Sequence, residues 1–262
     1  MMGKGGVGKT TLASAVALEL ARRGCAVHLT TTDPAAHLDV SLGDGFPNLQ
    51  ISRIDPALET RNYAEEVRAG AAPLLDERGM ALLEEDLRSP CLEEIAVFRA
   101  FASTVAAAQH QFVVVDTAPT GHTILLLDAA EAYHREVSRS KNESPEEVRH
   151  LLIRLRDPRF TRVFLVTLPE ATPVHEAEQL AADLKRAGIL PFGWIVNQTW
   201  TGYRVSHPVL ASRQVQEQEF IRRVRDVSAD RFATVPWQRK EPKGVENLFH
   251  LIGSRSIQPS PH

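Results

Sequence analysis

Gly3-Lys4-Gly5-Gly6-Val7-Gly8-Lys9-Thr10 satisfies the pattern GxxxxGK[ST]. Its glycines let backbone N–H groups point inward at phosphate oxygens, Lys9 reaches the β- and γ-phosphates of a nucleotide, and Thr10 suits a bound Mg²⁺. Gly3, Gly5, Gly6, Val7, Gly8, Lys9, Thr10 and Thr11 are therefore the candidate nucleotide contacts. Small and apolar residues from Thr10 to Arg23 predict a helix directly after the loop, closed by Arg22, Arg23 and Gly24. Only Met1 and Met2 precede Gly3. A phosphate cradle normally hangs from a buried strand, so the first strand is expected to be missing or truncated and the chain to be a piece of a longer protein.

Outward from the cradle, short apolar runs recur, each stopping at a polar residue or proline. Ala26–Thr32 stops at Asp33-Pro34, Phe112–Val115 at Asp116, Arg162–Val166 at Thr167, Gly193–Val196 at Asn197 and Phe232–Val235 at Pro236. Near-continuous apolar runs of this length read as strands buried on both faces. Helical segments fill the gaps: Thr172-Pro173 predicts an N-cap with proline at the first helical position, opening a helix to Ala187-Gly188, and another spans about Pro208–Val227. Alternation of strand and helix implies right-handed crossovers, a parallel sheet flanked by helices, and a site beyond the carboxyl ends of the strands. Asp33 and Asp116 end strands on that edge, where Mg²⁺ and a γ-phosphate would sit. Residues 57–111 are almost wholly helix-forming, with Leu92, Ile95, Phe98, Phe101 and Val105 at helical spacing, and read as a helical insert.

The 262 residues suffice for one large α/β domain, expected over residues 1–252, with 253–262 as a tail of low apolar content. A hydrophobic share of 43% supports a buried core, and a net charge of −3 argues against a nucleic-acid partner. The apolar runs fall far short of the roughly 20 residues a membrane span needs. Two cysteines, Cys25 and Cys91, with no CxxC pair, point away from a disulfide framework or a zinc site and toward a cytoplasmic home.

Lys4 is an addition to the plain cradle. It is poorly placed to reach the phosphates of its own nucleotide and well placed to reach a partner's. With this second lysine, Lys4–Thr10 resembles the deviant Walker A loop of the class that includes the nitrogenase iron protein and the arsenical ATPases, which implies a P-loop NTPase fold of the SIMIBI type. In that class the first lysine crosses a dimer interface and stabilises charge on the transferring phosphoryl group, as an arginine finger does. Thr32-Asp33-Pro34-Ala35-Ala36-His37-Leu38, Glu84–Cys91, Asp116–Thr123 and Leu168-Pro169-Glu170 narrow the resemblance to the arsenical pump-driving ATPase family, specifically its C-terminal nucleotide-binding half.

The resemblance implies roles residue by residue. Asp33 would position the attacking water and share the metal shell, Asp116 would hold Mg²⁺, and Lys4 and Lys9 would be catalytic. Asp116–Thr123 would be the switch that senses the γ-phosphate. Asn197 would contact adenine, with the loop after Pro236 flanking it, so that ATP rather than GTP is the implied nucleotide. Cys91, with Ser89 and His122 as lesser contacts, would ligate arsenite or antimonite, which act as activators. Soft thiolates suit these metalloids. Ser89-Pro90 reads as N-cap and first helical residue, placing Cys91 in an opening helical turn, where the helix lowers a thiol pKa while Glu93 and Glu94 raise it.

The expected activity is ATP hydrolysis in a two-site sandwich, with a homologous N-terminal half or a second copy across the interface. It would drive an integral-membrane arsenite efflux protein, the chain lying in the cytoplasm, peripheral to the inner face of the membrane. Two alternatives stand beside it. One is a targeting ATPase for tail-anchored membrane proteins, disfavoured by the lack of a CxxC clasp. The other is a nucleotide-gated binding or partitioning module with little turnover.

Overall fold

The computed structural model describes residues 1–33, 38, 42, 44–89, 91–108, 110–117, 146–229 and 231–253. The described strands are β1 (Val27–Thr31), β2 (Leu49–Arg53), β3 (Phe112–Asp116), β4 (Val163–Thr167), β5 (Pro191–Thr199) and β6 (Phe232–Pro236). The helices are α1 (Lys9–Arg22), α2 (Pro56–Ala71), α3 (Glu77–Asp86), α4 (Cys91–Ala107), α5 (Glu146–Arg156), α6 (Ala171–Arg186), α7 (Pro208–Ser228) and α8 (Gly244–Gly253). All strand pairs are parallel, in two runs ordered β2-β1-β3 and β4-β5-β6. Parallel pairing needs crossover connections, and the helices that supply them cover the faces of the sheet, as a βα alternation requires.

Met1 and Met2 join the two runs. The Met1 ammonium donates to Val115 C=O at 2.8 Å and Thr117 N–H donates to Met1 C=O at 3.3 Å. On the other side Met2 N–H donates to Phe164 C=O at 2.9 Å, and Val166 N–H donates to Met2 C=O at 2.8 Å. The two side chains leave on opposite faces, as in a strand. Met1 packs with the cluster of Ala17, Leu18, Val27 and Leu29 around α1, Met2 with that of Leu165, Leu180, Leu184 and Val224 around α6 and α7. The cradle thus hangs from a two-residue stub at the centre of the sheet.

A helical layer stands beside this sheet. Phe98, Ala102 and Val105 of α4 bury against Leu151 and Leu152 of α5, and α2 is tied to α4 by the Arg99–Glu66 ion pair. α3 buries no side chain. Among the described residues no helix is long and apolar enough to cross a membrane.

Several boundaries depart from the sequence expectation. β2, an edge strand with only Leu49 fully buried, is additional, as is α8, whose Leu248 and Leu251 complete the α1 cluster. β5 does not end at Asn197 but runs to Thr199, because Thr199 pairs with Pro236 across an irregularity where Gln198 takes φ 58°. α6 starts at Ala171 with Glu170, not Thr172, in the extended capping position, since Val174 N–H already closes a helical bond onto Glu170 C=O. α4 begins at Cys91, with Pro90 outside the described residues, and Leu92 N–H turns back onto Ser89 C=O at 3.0 Å. Of the expected tail, residues 254–262 lie outside the described residues.

Candidate functional site

The loop Gly3–Gly8 leaves the stub and turns into α1 under tight steric control. A Cβ on Gly3 would stand 2.2 Å from Val166 O, and one on Gly8 would stand 2.3 Å from Asn197 Nδ2. Gly8 is also left-handed at φ 92°, a conformation L side chains resist. Gly5 and Gly6 are exposed, whereas Val7 is buried against Leu12 and Val166, pinning the loop to the core. α1 opens with no side-chain cap and no acidic residue in its first turn. Its leading N–H groups, those of Lys9, Thr10 and Thr11 among them, are therefore left for an anion, with the helix dipole behind them. Lys9 is buried and curls back over the loop, donating to Lys4 C=O at 3.1 Å. Burial lowers its pKa, against the opposing pull of Asp116 and Asp33.

Asp116 ends β3 fully buried. Its Oδ2 accepts from the Thr10 hydroxyl at 2.6 Å and from Thr31 at 3.3 Å, while its Oδ1 has no partner among the described residues. Burial raises its pKa, opposed by the Thr10 hydrogen bond and the charges of Lys9 and the α-ammonium. That ammonium is itself buried and its pKa is lowered to about 6, chiefly by desolvation. Asp33 lies just past β1, half-buried, with its N–H donating to the Thr31 hydroxyl at 3.0 Å. The donor set of one hydroxyl, one unpartnered buried carboxylate oxygen and a second carboxylate is hard, as Mg²⁺ prefers. Among the described residues no three His, Cys, Asp or Glu side chains gather. A cation here would keep most of its shell for phosphate and water, also the habit of Mg²⁺.

Lys4 points away from this centre and pairs with Glu176 of α6 at 2.8 Å, both side chains partly exposed. Asn197 sits under the cradle, its amide donating to Val7 C=O at 2.8 Å and its Oδ1 accepting from Gln198 N–H at 2.9 Å. Pro236 ends β6 beside Thr199, and the rings of Trp200 and Trp237 stack next to it with centroids 5.1 Å apart.

A strand stub, glycine-governed loop and uncapped helix, with two lysines on the loop and a buried aspartate against its threonine, make this edge the candidate nucleotide phosphate site. The model of the anion-transporting ATPase family matches residues 1–144 and 131–254. The chain belongs to that family. An arsenical pump-driving ATPase of Escherichia coli is 52% identical over 253 residues, 97% of this chain. A protein of the same name from Acidiphilium multivorum is 53% identical over 252 residues, 96% of this chain. The chain spans 43% of the length of each. More distant is the ATPase GET3 of Malassezia globosa, 26% identical over 298 residues, which cover 95% of this chain and 87% of that protein.

Within this member of the anion-transporting ATPase family, the residues expected to meet a metalloid are less completely placed. Cys91 is the first residue of α4 and Ser89 lies in the turn before it. His122 and the switch segment from Ala118 to Thr123 lie outside the described residues. Glu176 and the Trp200–Trp237 stack were not anticipated. A glutamate on a helix surface carries no local signature, and only the fold brings Glu176 to Lys4. The two tryptophans did carry a signal, since each follows a strand terminus on the site's edge.

Proposed function

We propose that this chain binds ATP with Mg²⁺ and hydrolyses it as one half of a two-site sandwich, its twin being a homologous N-terminal half or a second copy. The observation that carries this reading is the pairing of a buried, loop-capping Lys9 with an Asp116 whose Oδ1 stands unpartnered beside the Thr10 hydroxyl. The loop amides and Lys9 hold the phosphates, Thr10 and Asp116 offer oxygens to the cation, and Asp33 orients the water. Mg²⁺ supplies neutralisation of charge shared by the β- and γ-phosphates. Lys4 leaves Glu176 and crosses to the partner's nucleotide, while Asn197 braces the cradle next to the adenine, with Pro236 bordering the base.

In this reading hydrolysis drives an integral-membrane arsenite efflux protein from the cytoplasmic side of the membrane, peripheral to its inner face. Arsenite or antimonite bound at Cys91, with Ser89 and His122, activates turnover. Support comes from the names and identities of the arsenical pump-driving relatives. ATP turnover is measured with and without arsenite, the other half being supplied. Arsenite should raise the rate, Lys9→Ala should abolish it, and Cys91→Ser should remove the stimulation. Stimulation that survives Cys91→Ser refutes the metalloid role, and turnover that survives Lys9→Ala refutes the phosphate assignment.

A second reading, a carrier of hydrophobic tail segments, has one observation in its favour beyond the GET3 relative. Leu74 is 82% exposed and Leu82 is 60% exposed on the helical layer, where α3 buries nothing. Capture of an apolar helical peptide that depends on ATP and is lost on Leu74→Ser with Leu82→Ser would favour it. Arsenite-dependent turnover without capture would dismiss it.

A further inference from the structure

Glu217 stands in the middle of α7, 2% exposed. Its Oε2 accepts from Trp200 N–H and its Oε1 from the Thr201 hydroxyl, both at 2.9 Å. Neither the cradle nor the cation site uses it. Burying a carboxylate costs stability unless its oxygens are hydrogen-bonded, and an apolar residue would fill the same space without that cost. What Glu217 contributes is therefore the placement of its two donors. Gln214 and Gln218 of the same helix grip the same turn: the Gln214 amide donates to Trp200 C=O at 2.7 Å and to Tyr203 C=O at 2.9 Å, and that of Gln218 to Thr201 Oγ1 at 3.1 Å. The turn already closes on itself, Tyr203 N–H donating to Trp200 C=O at 3.1 Å. The helix thus fixes where the turn stands, not its shape.

What stands there is the backing of Trp237. The two indole planes lie 16° apart. The Tyr203 ring meets Trp200 edge-on at 6.3 Å, and its hydroxyl donates to Trp237 C=O at 2.9 Å. Trp237 N–H in turn donates to Thr199 C=O at 2.8 Å. Trp237 is therefore held at its N–H, its C=O and one ring face, and still keeps 37% of its surface exposed. Trp200 follows Asn197 by three residues, roughly 10 Å along an extended chain, and Asn197 is bonded to the cradle at Val7 C=O. A fixed, partly open indole at that remove from a phosphate loop is a stacking surface for an aromatic base.

We propose that Glu217 is a positioning residue for the base end of the nucleotide site: by clamping the Trp200–Tyr203 turn it holds the Trp200 ring against Trp237, whose indole takes the purine. The proposal rests on the ATP reading above and adds to it the group that orders the base. Stacking selects an aromatic base and not adenine over guanine, so ATP and GTP analogues should respond alike. The phosphates are held elsewhere, by Lys9 and the α1 amides, and do not depend on the clamp.

The test is calorimetry on the 262-residue chain with Mg²⁺ and either a non-hydrolysable ATP analogue or tripolyphosphate, which has no base. Glu217→Ala and Trp237→Ala should each weaken the nucleotide at least about tenfold and leave tripolyphosphate within about twofold. Glu217→Gln should restore wild-type affinity, since its amide oxygen still accepts from Trp200 N–H and its nitrogen donates to Thr201 Oγ1. The circular-dichroism couplet of the paired indoles should vanish in Glu217→Ala and persist in Glu217→Gln. Where Glu217→Ala does not fold, Thr201→Val, at an exposed position, breaks one clamp bond and should weaken the nucleotide alone at least about threefold. Unchanged nucleotide affinity in Trp237→Ala or in the folded clamp variant, or an equal loss of tripolyphosphate, overturns the proposal and leaves the ATP reading standing. A wild-type chain that binds neither ligand overturns both.

Discussion

Gly8 shows how much of the site is decided by single residues. Its φ of 92° and the amide nitrogen of Asn197 at 2.3 Å from any added Cβ leave no room for a side chain. Gly8→Ala should therefore weaken nucleotide binding at least about tenfold through displacement of the Asn197 brace, read by calorimetry. Asp116→Asn should act differently. Burial raises the Asp116 pKa, so above its ordinary value the folded state holds a proton the unfolded state has lost, and ionisation there destabilises. The amide keeps an acceptor for Thr10 and removes that charge, so the urea midpoint at pH 7 should hold or rise while Mg²⁺-dependent nucleotide binding falls. The cradle and Asp116 were legible because glycines, lysine, threonine and a strand-ending aspartate have fixed spacing. For Asn197 the sequence suggests an adenine contact through resemblance alone, and its hold on Val7 C=O could not be read there because it depends on β5 and the cradle meeting in space.

At the scale of elements, the periodic apolar positions of α4 carry the helical layer. Phe98 is 2% exposed and packs with Leu151 and Leu152 of α5. Phe98→Ala should cost about 3 kcal/mol or more in urea unfolding, as a large aromatic removed from a core does. Leu74→Ser, at a position 82% exposed, should stay within about 0.5 kcal/mol. Strands β1, β3, β4 and β6 could be read from their sequence because each is a short run rich in β-branched and apolar residues that stops at a polar residue or proline. β2 could not, since Leu49-Gln50-Ile51-Ser52-Arg53 is an edge strand with polar residues at alternate positions and too few residues to establish a period. α8 was missed for the same reason, being ten residues long, with its apolar face recognisable only once α1 stands opposite it. The overrun of β5 to Thr199 reflects pairing with Pro236, a tertiary event that local composition does not encode.

At the scale of the whole molecule, the proposed two-site sandwich would divide the labour of the two loop lysines between this chain and a partner. Lys9 is turned inward, and Lys4 is held on the surface by Glu176 through a partly exposed ion pair of 2.8 Å. Such pairs contribute little to stability, so Glu176→Gln should leave the urea midpoint within about 0.5 kcal/mol. It should also strengthen nucleotide-dependent association, read by sedimentation, because Lys4 no longer has to be withdrawn from a carboxylate. The claim beneath all of this is that the cradle holds a nucleotide triphosphate through Lys9 and the α1 amides. Isothermal titration of the folded protein with Mg²⁺ and a non-hydrolysable ATP analogue tests it most directly. The account predicts saturable heat with a dissociation constant between about 1 μM and 1 mM, weakened at least about tenfold by Lys9→Ala. No heat from a cooperatively folded sample, or equal affinity in Lys9→Ala, would contradict it.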